Sequence, residues 1–266
     1  MPAEEPVLLA CNRGYRYGDG LFETIKLAKG RLLLADHHFE RLFAGLALLK
    51  FQLPYLFTKE KITEQILQLC RKNNCEELAR VRLSVSRGNG GLYDENKGLQ
   101  WLIECWPLNE SVNKLNENGL LIDIYPDTKK SCDVFSNLKS ANFLPYTMAA
   151  QYAKENKLND CLVLNTNGTI ADSTIANLFI INKGEIITSG LDSGCVNGVM
   201  RRHIIEEYGN AIKERPVSTE DLLQAEEVFL TNAIKGIQWV SRFRDKNYTN
   251  TRVIEIYNQL AKTIMS

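Results

Sequence analysis

The sequence predicts a mixed α/β fold arranged in two domains, a smaller N-terminal one and a larger C-terminal one. Segments with helical spacing of apolar residues alternate with segments of strand-like spacing along the 266-residue chain. A polar stretch, NESVNKLNENG at 109–119, interrupts the apolar pattern and is typical of a linker. We therefore expect a first domain at 1–110, a linker at 111–119 and a second domain at 120–266.

Two amphipathic helices are predicted in the first domain. Asp36 can cap a helix that runs to about Lys50, and Thr58 can cap a second helix that ends near Asn73 and Asn74. Apolar residues recur at intervals of three and four in both, which predicts one buried face each. These residues are Phe39, Leu42, Phe43, Leu46 and Leu49 in the first helix, and Ile62, Ile66 and Leu69 in the second.

Two strands follow these helices. The segment ARVRLSVS at 79–86 alternates apolar and polar residues, which is typical of a half-buried strand, and the glycine-rich RGNGG ends it. The segment LQWLIECWPL at 99–108 predicts a second strand that closes at Pro107.

The second domain begins with a predicted strand at 120–125 and a helix that starts near Lys139 and runs through Ala153. The pairs Asn167-Gly168 and Lys183-Gly184 predict hairpin turns. A glycine turn opens a helix within NGVMRRHIIEEY at 197–208. The segment EEVFLTNAIKGIQWVSRF at 226–243 returns to strand, and an amphipathic helix ends the chain.

Composition excludes several classes of partner. Lys plus Arg and Asp plus Glu are equal at 32 each, so no global field attracts nucleic acid or an anionic membrane. No apolar run approaches the roughly 18 residues that span a bilayer. The N-terminal MPAEEPVLLA is acidic, so we expect no secretory signal and a cytoplasmic location.

The seven cysteines indicate reduced and mostly buried thiols. Their number is odd, and no CxxC occurs. No His/Cys group near Cys70 and Cys75 has zinc spacing, and the chain has only three histidines. The sequence therefore predicts no metal site.

Lys139 lies among small and apolar residues in FSNLKSANFLPY at 135–146. A lysine in such a segment usually extends its ammonium to the surface. In a partly apolar cleft, however, desolvation lowers the pKa of a lysine, and the neutral amine can form a Schiff base with an aldehyde. Pyridoxal phosphate is one such aldehyde, and it also needs a carboxylate at its ring nitrogen and donors around its phosphate.

Candidates for these other two roles are present. Asp172 begins an apolar strand after the turn at 167–168, although an Asp there also serves as an ordinary turn residue. The segment GCVNGVMRRHII offers backbone N–H groups where a helix begins. These groups could bind an anion, or the segment could be an ordinary helix start. Arg41 in HHFERL could pair with phosphate or lie on a helix surface.

The order of these segments resembles that of the fold-type IV pyridoxal-phosphate enzymes, the class IV aminotransferase family. The resemblance covers nearly the whole chain. It rests on YGDGLFETI and HFERL, on LKSANFLPY around Lys139, on ADSTIANLF around Asp172 and on GCVNGVMR, which matches the phosphate turn of the family. It implies a two-domain enzyme with a mixed, β-barrel-like core in its C-terminal domain, bound pyridoxal 5'-phosphate and a homodimer.

The resemblance also implies a role for individual residues. Lys139 would form the Schiff base and move protons, and Asp172 would face the pyridine nitrogen. The phosphate would be bound by Arg41, Val199, Met200 and Asn232. In the family the position of Asp172 is usually Glu, which is one methylene, about 1.5 Å, longer.

Within the family, two details favour the aminodeoxychorismate lyases, which make 4-aminobenzoate and pyruvate for folate biosynthesis. Asn142 follows Lys139 by three positions, and GCVNGVMR is similar to the lyase form of the phosphate turn. Arg87 would then bind a substrate carboxylate, and Tyr17 would line the substrate pocket, although a surface turn and ordinary packing explain these two equally well. The alternatives are a branched-chain or D-amino-acid aminotransferase, and a degenerate member without catalysis.

Overall fold

The protein is described from a computed structural model that covers residues 5–94 and 98–265. The chain forms two compact units. Unit 1 comprises Met1–Leu108 with Lys139–Phe143, and unit 2 comprises Asn109–Leu138 with Leu144–Ser266. The prediction of domains at 1–110 and 120–266 assigned Lys139–Phe143 to the second domain, whereas these residues cluster with unit 1.

Unit 1 contains a four-stranded antiparallel sheet in the order β2-β1-β3-β4. Its strands are β1 Gly20–Ala28, β2 Arg31–Leu32, β3 Leu78–Ser86 and β4 Gln100–Pro107. Alternation in β3 places Val81, Leu83 and Val85 in the core, as predicted.

Three helices lie in the described part of unit 1, namely α1 Arg13–Tyr17, α2 Ala35–Leu48 and α3 Lys59–Lys72. The predicted cap of α3 is confirmed, because the Thr58 side chain accepts a hydrogen bond from the Lys61 N–H at 3.2 Å. The predicted cap of α2 is wrong. Leu34, with a φ of 52°, precedes that helix, and Asp36 lies within its first turn.

Unit 2 is built on a nine-stranded mixed sheet, in which β10-β9-β8-β11-β12-β5-β6-β7 form the main path and β13 pairs with β12. Its strands are β5 Leu120–Lys130, β6 Asp160–Asn165, β7 Ile170–Ser173, β8 Asn177–Asn182, β9 Glu185–Thr188, β10 Ile212–Glu214, β11 Glu227–Asn232, β12 Gly236–Phe243 and β13 Lys246–Asn247. Its helices are α4 Leu144–Glu155, α5 Val199–Tyr208, α6 Thr219–Gln224 and α7 Thr251–Met265. The mixed α/β class is thus confirmed.

Local turn chemistry explains the connections in this sheet. Gly168 with a φ of 80° joins β6 to β7, and Lys183-Gly184 joins β8 to β9, so both predicted hairpins are confirmed. The predicted start of a helix at Lys139 is wrong. The helix begins at Leu144, because Pro145 fits a first turn, while the residues before it pair with β1.

The core of unit 2 lies between its sheet and helices. Two buried aromatic residues stack across β8 and β11, where the ring centroids of Phe179 and Phe229 are 4.9 Å apart at an interplanar angle of 8°. A further buried cluster packs α6 against this sheet through Leu222 and Val217. None of the helices in the described ranges combines the length and hydrophobicity that crossing a bilayer requires.

We expect Phe179→Ala to lower the free energy of unfolding by about 3–5 kcal/mol, because it leaves a cavity beside Phe229. Urea unfolding followed by circular dichroism measures this loss. Leu144→Ala is the matched control, since Leu144 is 66% exposed and its truncation should change stability by less than about 0.5 kcal/mol. Equal effects of the two substitutions would contradict the packing described.

Candidate active site

Lys139 lies in unit 1, beside the first residues of β1. Its carbonyl accepts a hydrogen bond from the Phe22 N–H at 2.9 Å, and the Ala141 N–H donates to the Gly20 carbonyl at 2.9 Å. The Lys139 Nζ is 4.6 Å from the ring centroid of Phe22 and 5.7 Å from that of Phe143. The half-buried amine thus lies against two aromatic rings and is held by backbone pairing.

The glycine at 18 allows this segment to approach α1. Gly18 ends that helix with a φ of 65°, and a Cβ built there would lie 3.3 Å from the backbone nitrogen of Asn142. A side chain at this position would therefore be both strained and crowded. This explains the glycine in the YGDG motif in physical terms.

A buried charge cluster lies between β1 and α2. The Arg41 Nε donates to Glu23 Oε1 at 2.8 Å, and the Arg41 Nη2 donates to Glu23 Oε2 at 2.5 Å. The His38 Nδ1 lies 2.6 Å from Glu23 Oε2. This bidentate arrangement fixes the plane of the Arg41 guanidinium.

The pKa values in this cluster follow from burial and charge together. Burial disfavours the ionised form of Glu23, but the Arg41 charge and the His38 hydrogen bond outweigh it, and the pKa of Glu23 falls from 4.5 to about 2. Burial lowers the pKa of His38 despite its bond to Glu23, and the charges of Arg41 and Lys139 act in the same direction. Glu23 is therefore ionised and His38 neutral near pH 7.

The two residues that the sequence assigned to substrate are also in unit 1. The Arg87 guanidinium donates to Asp19 Oδ2 at 3.1 Å and to the Leu49 carbonyl at 2.7 Å, and it lies over the Phe51 ring. Tyr17 is exposed at the end of α1. These contacts join Arg87 to Asp19 and to the end of α2.

Asp172 is a buried carboxylate in β7 of unit 2. The Tyr146 hydroxyl is 3.0 Å from each carboxylate oxygen, and the Val196 N–H donates to Oδ2 at 2.8 Å. The Lys130 ammonium lies 3.5 Å from the same oxygen and also donates to the Tyr146 hydroxyl. Burial raises the pKa of Asp172, whereas Lys130, Val196 and Tyr146 all favour its ionised form.

The glycine turn before α5 lies next to this carboxylate in the same unit. Gly198 caps the helix, and a Cβ there would lie 1.8 Å from the Asn177 Oδ1, so only glycine fits. The Asn177 side chain donates to the Val196 carbonyl at 2.9 Å and holds the turn in place. The first N–H groups of α5, on Val199 and Met200, lack carbonyl acceptors within the helix.

Asn137 and Asn232 border this region of unit 2. Asn137, two residues before Lys139 in the chain, donates to the Cys195 carbonyl at 2.7 Å, and its own carbonyl accepts from the Asn197 N–H at 3.0 Å. The Asn232 Oδ1 accepts from the N–H groups of Ile234 and Lys235 at 3.0 and 2.9 Å. Asn232 thus shapes the turn after β11.

The structure therefore brings the predicted residues together in two groups. Lys139 and Arg41 share unit 1 with Arg87 and Tyr17, and Asp172 shares unit 2 with the turn at 196–200. The sequence reasoning missed Glu23, His38, Tyr146 and Lys130, which hold Arg41 and Asp172. One available signal was Glu23, a charged residue inside the otherwise apolar segment LFETI.

The donor set in unit 2 fits pyridoxal phosphate. A pyridinium needs a buried carboxylate, which Asp172 supplies, and a phosphate needs backbone N–H groups that it can approach closely, which the glycine at the start of α5 allows. Unit 1 supplies a half-buried lysine and a buried, oriented arginine.

Comparisons with known proteins agree with these features. Residues 20–243 match the family described as amino-transferase class IV. Aminodeoxychorismate lyase from Bacillus subtilis is 31% identical over 258 residues, which cover 93% of this chain and 85% of that protein. D-alanine aminotransferase from Listeria monocytogenes is 27% identical over 232 residues, or 83% of this chain and 77% of that protein.

A solved structure shows the same fold. The branched-chain amino acid aminotransferase of Escherichia coli superposes with a TM-score of 0.86 at 19% identity, covering 97% of this chain and 89% of that one. The chain belongs to the class IV aminotransferase family. It is accordingly an enzyme of the pyridoxal-phosphate-dependent lyase or aminotransferase class.

We expect Glu23→Gln to lower the free energy of unfolding by about 3 kcal/mol at pH 7, since the pKa of Glu23 falls from 4.5 to about 2 on folding. A depressed carboxylate pKa stabilises the fold above the unfolded pKa, and this stabilisation is lost as the pH falls from 4.5 towards 2. The difference between variant and native protein should shrink over that interval.

Urea unfolding at several pH values between 3 and 7 measures this difference. Glu64→Gln is the control, because Glu64 is an exposed residue that pairs with Lys61 within α3 and should contribute less than about 1 kcal/mol. A loss for Glu23→Gln that stays constant with pH would show that Glu23 is not the group responsible.

Proposed function

We propose that this enzyme is a 4-amino-4-deoxychorismate lyase that releases 4-aminobenzoate and pyruvate. The main support for the cofactor chemistry is the buried Asp172 carboxylate, which accepts a hydrogen bond from the turn before helix α5. The choice of the lyase reaction is supported by the Bacillus subtilis relative and by the spacing of Lys139 and Asn142.

In the proposed site, the chain's residues bind and orient pyridoxal phosphate. When bound, this cofactor supplies an aldehyde for amines and an electron-withdrawing ring. The N–H groups of Val199 and Met200 would donate to its phosphate at the positive end of α5. Arg41 would supply a guanidinium whose direction Glu23 fixes within unit 1, and Asn232 holds the turn after β11.

Lys139 is the proposed base and acid. Its Nζ lies 4.6 Å from the centroid of the Phe22 ring, and this contact fixes the direction of the amine. It would remove a proton from the substrate ring and return one to the departing enolpyruvyl group, which leaves as pyruvate. Loss of that group makes the substrate ring aromatic and gives 4-aminobenzoate. All atoms of the substrate are found in 4-aminobenzoate and pyruvate.

Asp172 holds the negative charge opposite the ring nitrogen in this proposal. Asp is shorter than Glu by one methylene, about 1.5 Å. Tyr146 and Lys130 support the carboxylate from α4 and β5, while the Val196 N–H ties it to the turn before α5. We infer that these contacts keep the charge in place despite the shorter side chain.

The substrate has two carboxylates, and Arg87 stays the candidate for one of them. Asp19 and the Leu49 carbonyl hold its guanidinium in a fixed direction. Tyr17 stays the candidate for a pocket wall. We further propose that the enzyme is a cytoplasmic homodimer, and sedimentation equilibrium would contradict this by giving the monomer mass of 30.2 kDa.

A transaminase is the second candidate, because D-alanine and branched-chain aminotransferases are also similar to this chain. It would use the same Lys139. Borohydride reduction followed by peptide mass analysis tests the shared role of Lys139, since only a chain with a Schiff base at Lys139 retains the cofactor's mass on that peptide.

We expect the purified enzyme to produce equal amounts of 4-aminobenzoate and pyruvate from enzymatically made aminodeoxychorismate. Lys139→Ala should lower this rate by at least about 100-fold, because the proton-transfer group is lost. Chromatographic detection of 4-aminobenzoate measures it, and Lys157→Ala, on an exposed turn after α4, is the control that should keep activity.

Supplying D-alanine or L-isoleucine with 2-oxoglutarate tests the second candidate. Robust keto acid release without 4-aminobenzoate would contradict the lyase proposal and favour a transaminase. Absence of both activities, with no cofactor trapped on the Lys139 peptide by borohydride, would contradict the roles proposed for this site.

We expect Asp172→Asn to lower kcat by about 100- to 1,000-fold, because one preorganised charge is removed from the site. The borohydride-trapped mass on the Lys139 peptide should persist, since the amine is unchanged. Asp172→Glu is the matched variant that keeps the charge and should retain more activity than Asn. If Asp172→Asn turned over at the native rate, Asp172 would have no part in the reaction.

A further inference from the structure

Three cysteine thiols meet in unit 1, and none of them belongs to a residue assigned to the cofactor. The Sγ atoms of Cys70, Cys75 and Cys105 all lie within 4.8 Å of one another. Cys75 and Cys105 are 30 positions apart in the chain, and their sulfur atoms are 3.7 Å apart. The sequence predicted no metal site, because only Cys70 and Cys75 are close together in the chain, whereas Cys105 is distant from both.

The end of α3 positions two of the thiols. Cys70 is the last residue of the buried stripe that contains Ile62 and Ile66, and it is fully buried. The chain then turns through Asn74, with a φ of 51°, and the Cys75 N–H donates to the Cys70 carbonyl at 3.0 Å. This turn brings the Cys75 thiol back over the helix end.

The third thiol comes from β4. Trp101 lies on the same face of this strand as Cys105, four residues away, and its Nε1 donates to the Gln65 side chain of α3 at 3.2 Å. That face of β4 therefore packs on α3. Cys105 is half-buried, so the cluster has one side that a small ion can reach.

The distances suit a metal ion held by three sulfur atoms. Metal–sulfur bonds of about 2.3 Å in trigonal or tetrahedral geometry place the sulfur atoms about 3.8–4.0 Å apart. The observed separation of 3.7 Å between Cys75 and Cys105, and the limit of 4.8 Å for the group, need only a small adjustment of side chains.

We propose that Cys70, Cys75 and Cys105 bind one thiophilic divalent d10 cation, Zn²⁺ or its softer analogue Cd²⁺, through three thiolates. Three S–H bonds break, three metal–sulfur bonds form and three protons leave to solvent. The site then has a net charge of −1, and a water molecule can occupy a fourth position on the exposed side of Cys105.

Two of the three thiols hold their protons in the metal-free protein. Burial raises the pKa of Cys70, and burial together with the neighbouring Cys75 raises the pKa of Cys105 to about 11. Without metal the Cys70 and Cys105 thiols therefore stay protonated near neutral pH, and metal binding must displace those protons.

Titration of the full-length protein with Cd²⁺, with a non-thiol reductant present, tests the proposal. We expect an ultraviolet sulfur-to-cadmium charge-transfer band that saturates at one ion per chain and that Zn²⁺ abolishes by displacement. Cys105→Ser and Cys75→Ser should each weaken binding by at least about 100-fold, because loss of even an outer-shell partner costs about 10- to 100-fold. Cys132 is an exposed cysteine outside the cluster, so the Cys132→Ser variant should bind Cd²⁺ as tightly as the native protein does.

Circular dichroism of each variant shows whether it is folded. Cys105→Ser is the decisive variant, because Cys105 is only half-buried. No saturable band, or a band that persists in folded Cys105→Ser and Cys75→Ser, would overturn the proposal and leave the three thiols as core packing. Because Lys139 and Asp172 are untouched, 4-aminobenzoate formation reports separately on the proposed function.

Discussion

A carboxylate removed from water at Asp172 needs donors around it, because an uncompensated buried charge destabilises a fold by several kcal/mol. Unit 2 meets this need with groups from three elements. Tyr146 comes from α4, Lys130 from the end of β5, and the Val196 N–H from the turn before α5. The position of the glycine turn, and with it the start of α5, is thus tied to the same charge that the proposed chemistry uses.

Unit 1 handles its own buried carboxylate differently. Glu23 faces a bidentate arginine and a histidine, and the pKa of this glutamate falls to about 2. Burial raises the pKa of Asp172, in contrast, and its neighbours only oppose that rise. The contrast suits the roles proposed for them: Glu23 orients Arg41 as a permanent ion-pair partner, whereas Asp172 is a charge that an added cation, such as a protonated ring nitrogen, would stabilise further.

The sequence predicts features whose cause is local. The Thr58 cap and the turn at Asn167-Gly168 depend on a few adjacent residues, and both are confirmed. The helix expected from Lys139 fails because that segment pairs with β1, a partner distant in the chain. Likewise, motif order identified Lys139 and Asp172 as candidates, but no periodicity reveals Lys130 or Tyr146, which meet Asp172 only in the folded sheet. The cysteine cluster is missed for the same reason.

We propose that Asp172 holds a negative charge at the ring nitrogen of the bound cofactor. Nitrogen NMR of the enzyme loaded with pyridoxal phosphate labelled with ¹⁵N in the ring tests this proposal. We expect the chemical shift of a protonated pyridinium at neutral pH in the native enzyme. The shift of an unprotonated pyridine nitrogen would contradict it.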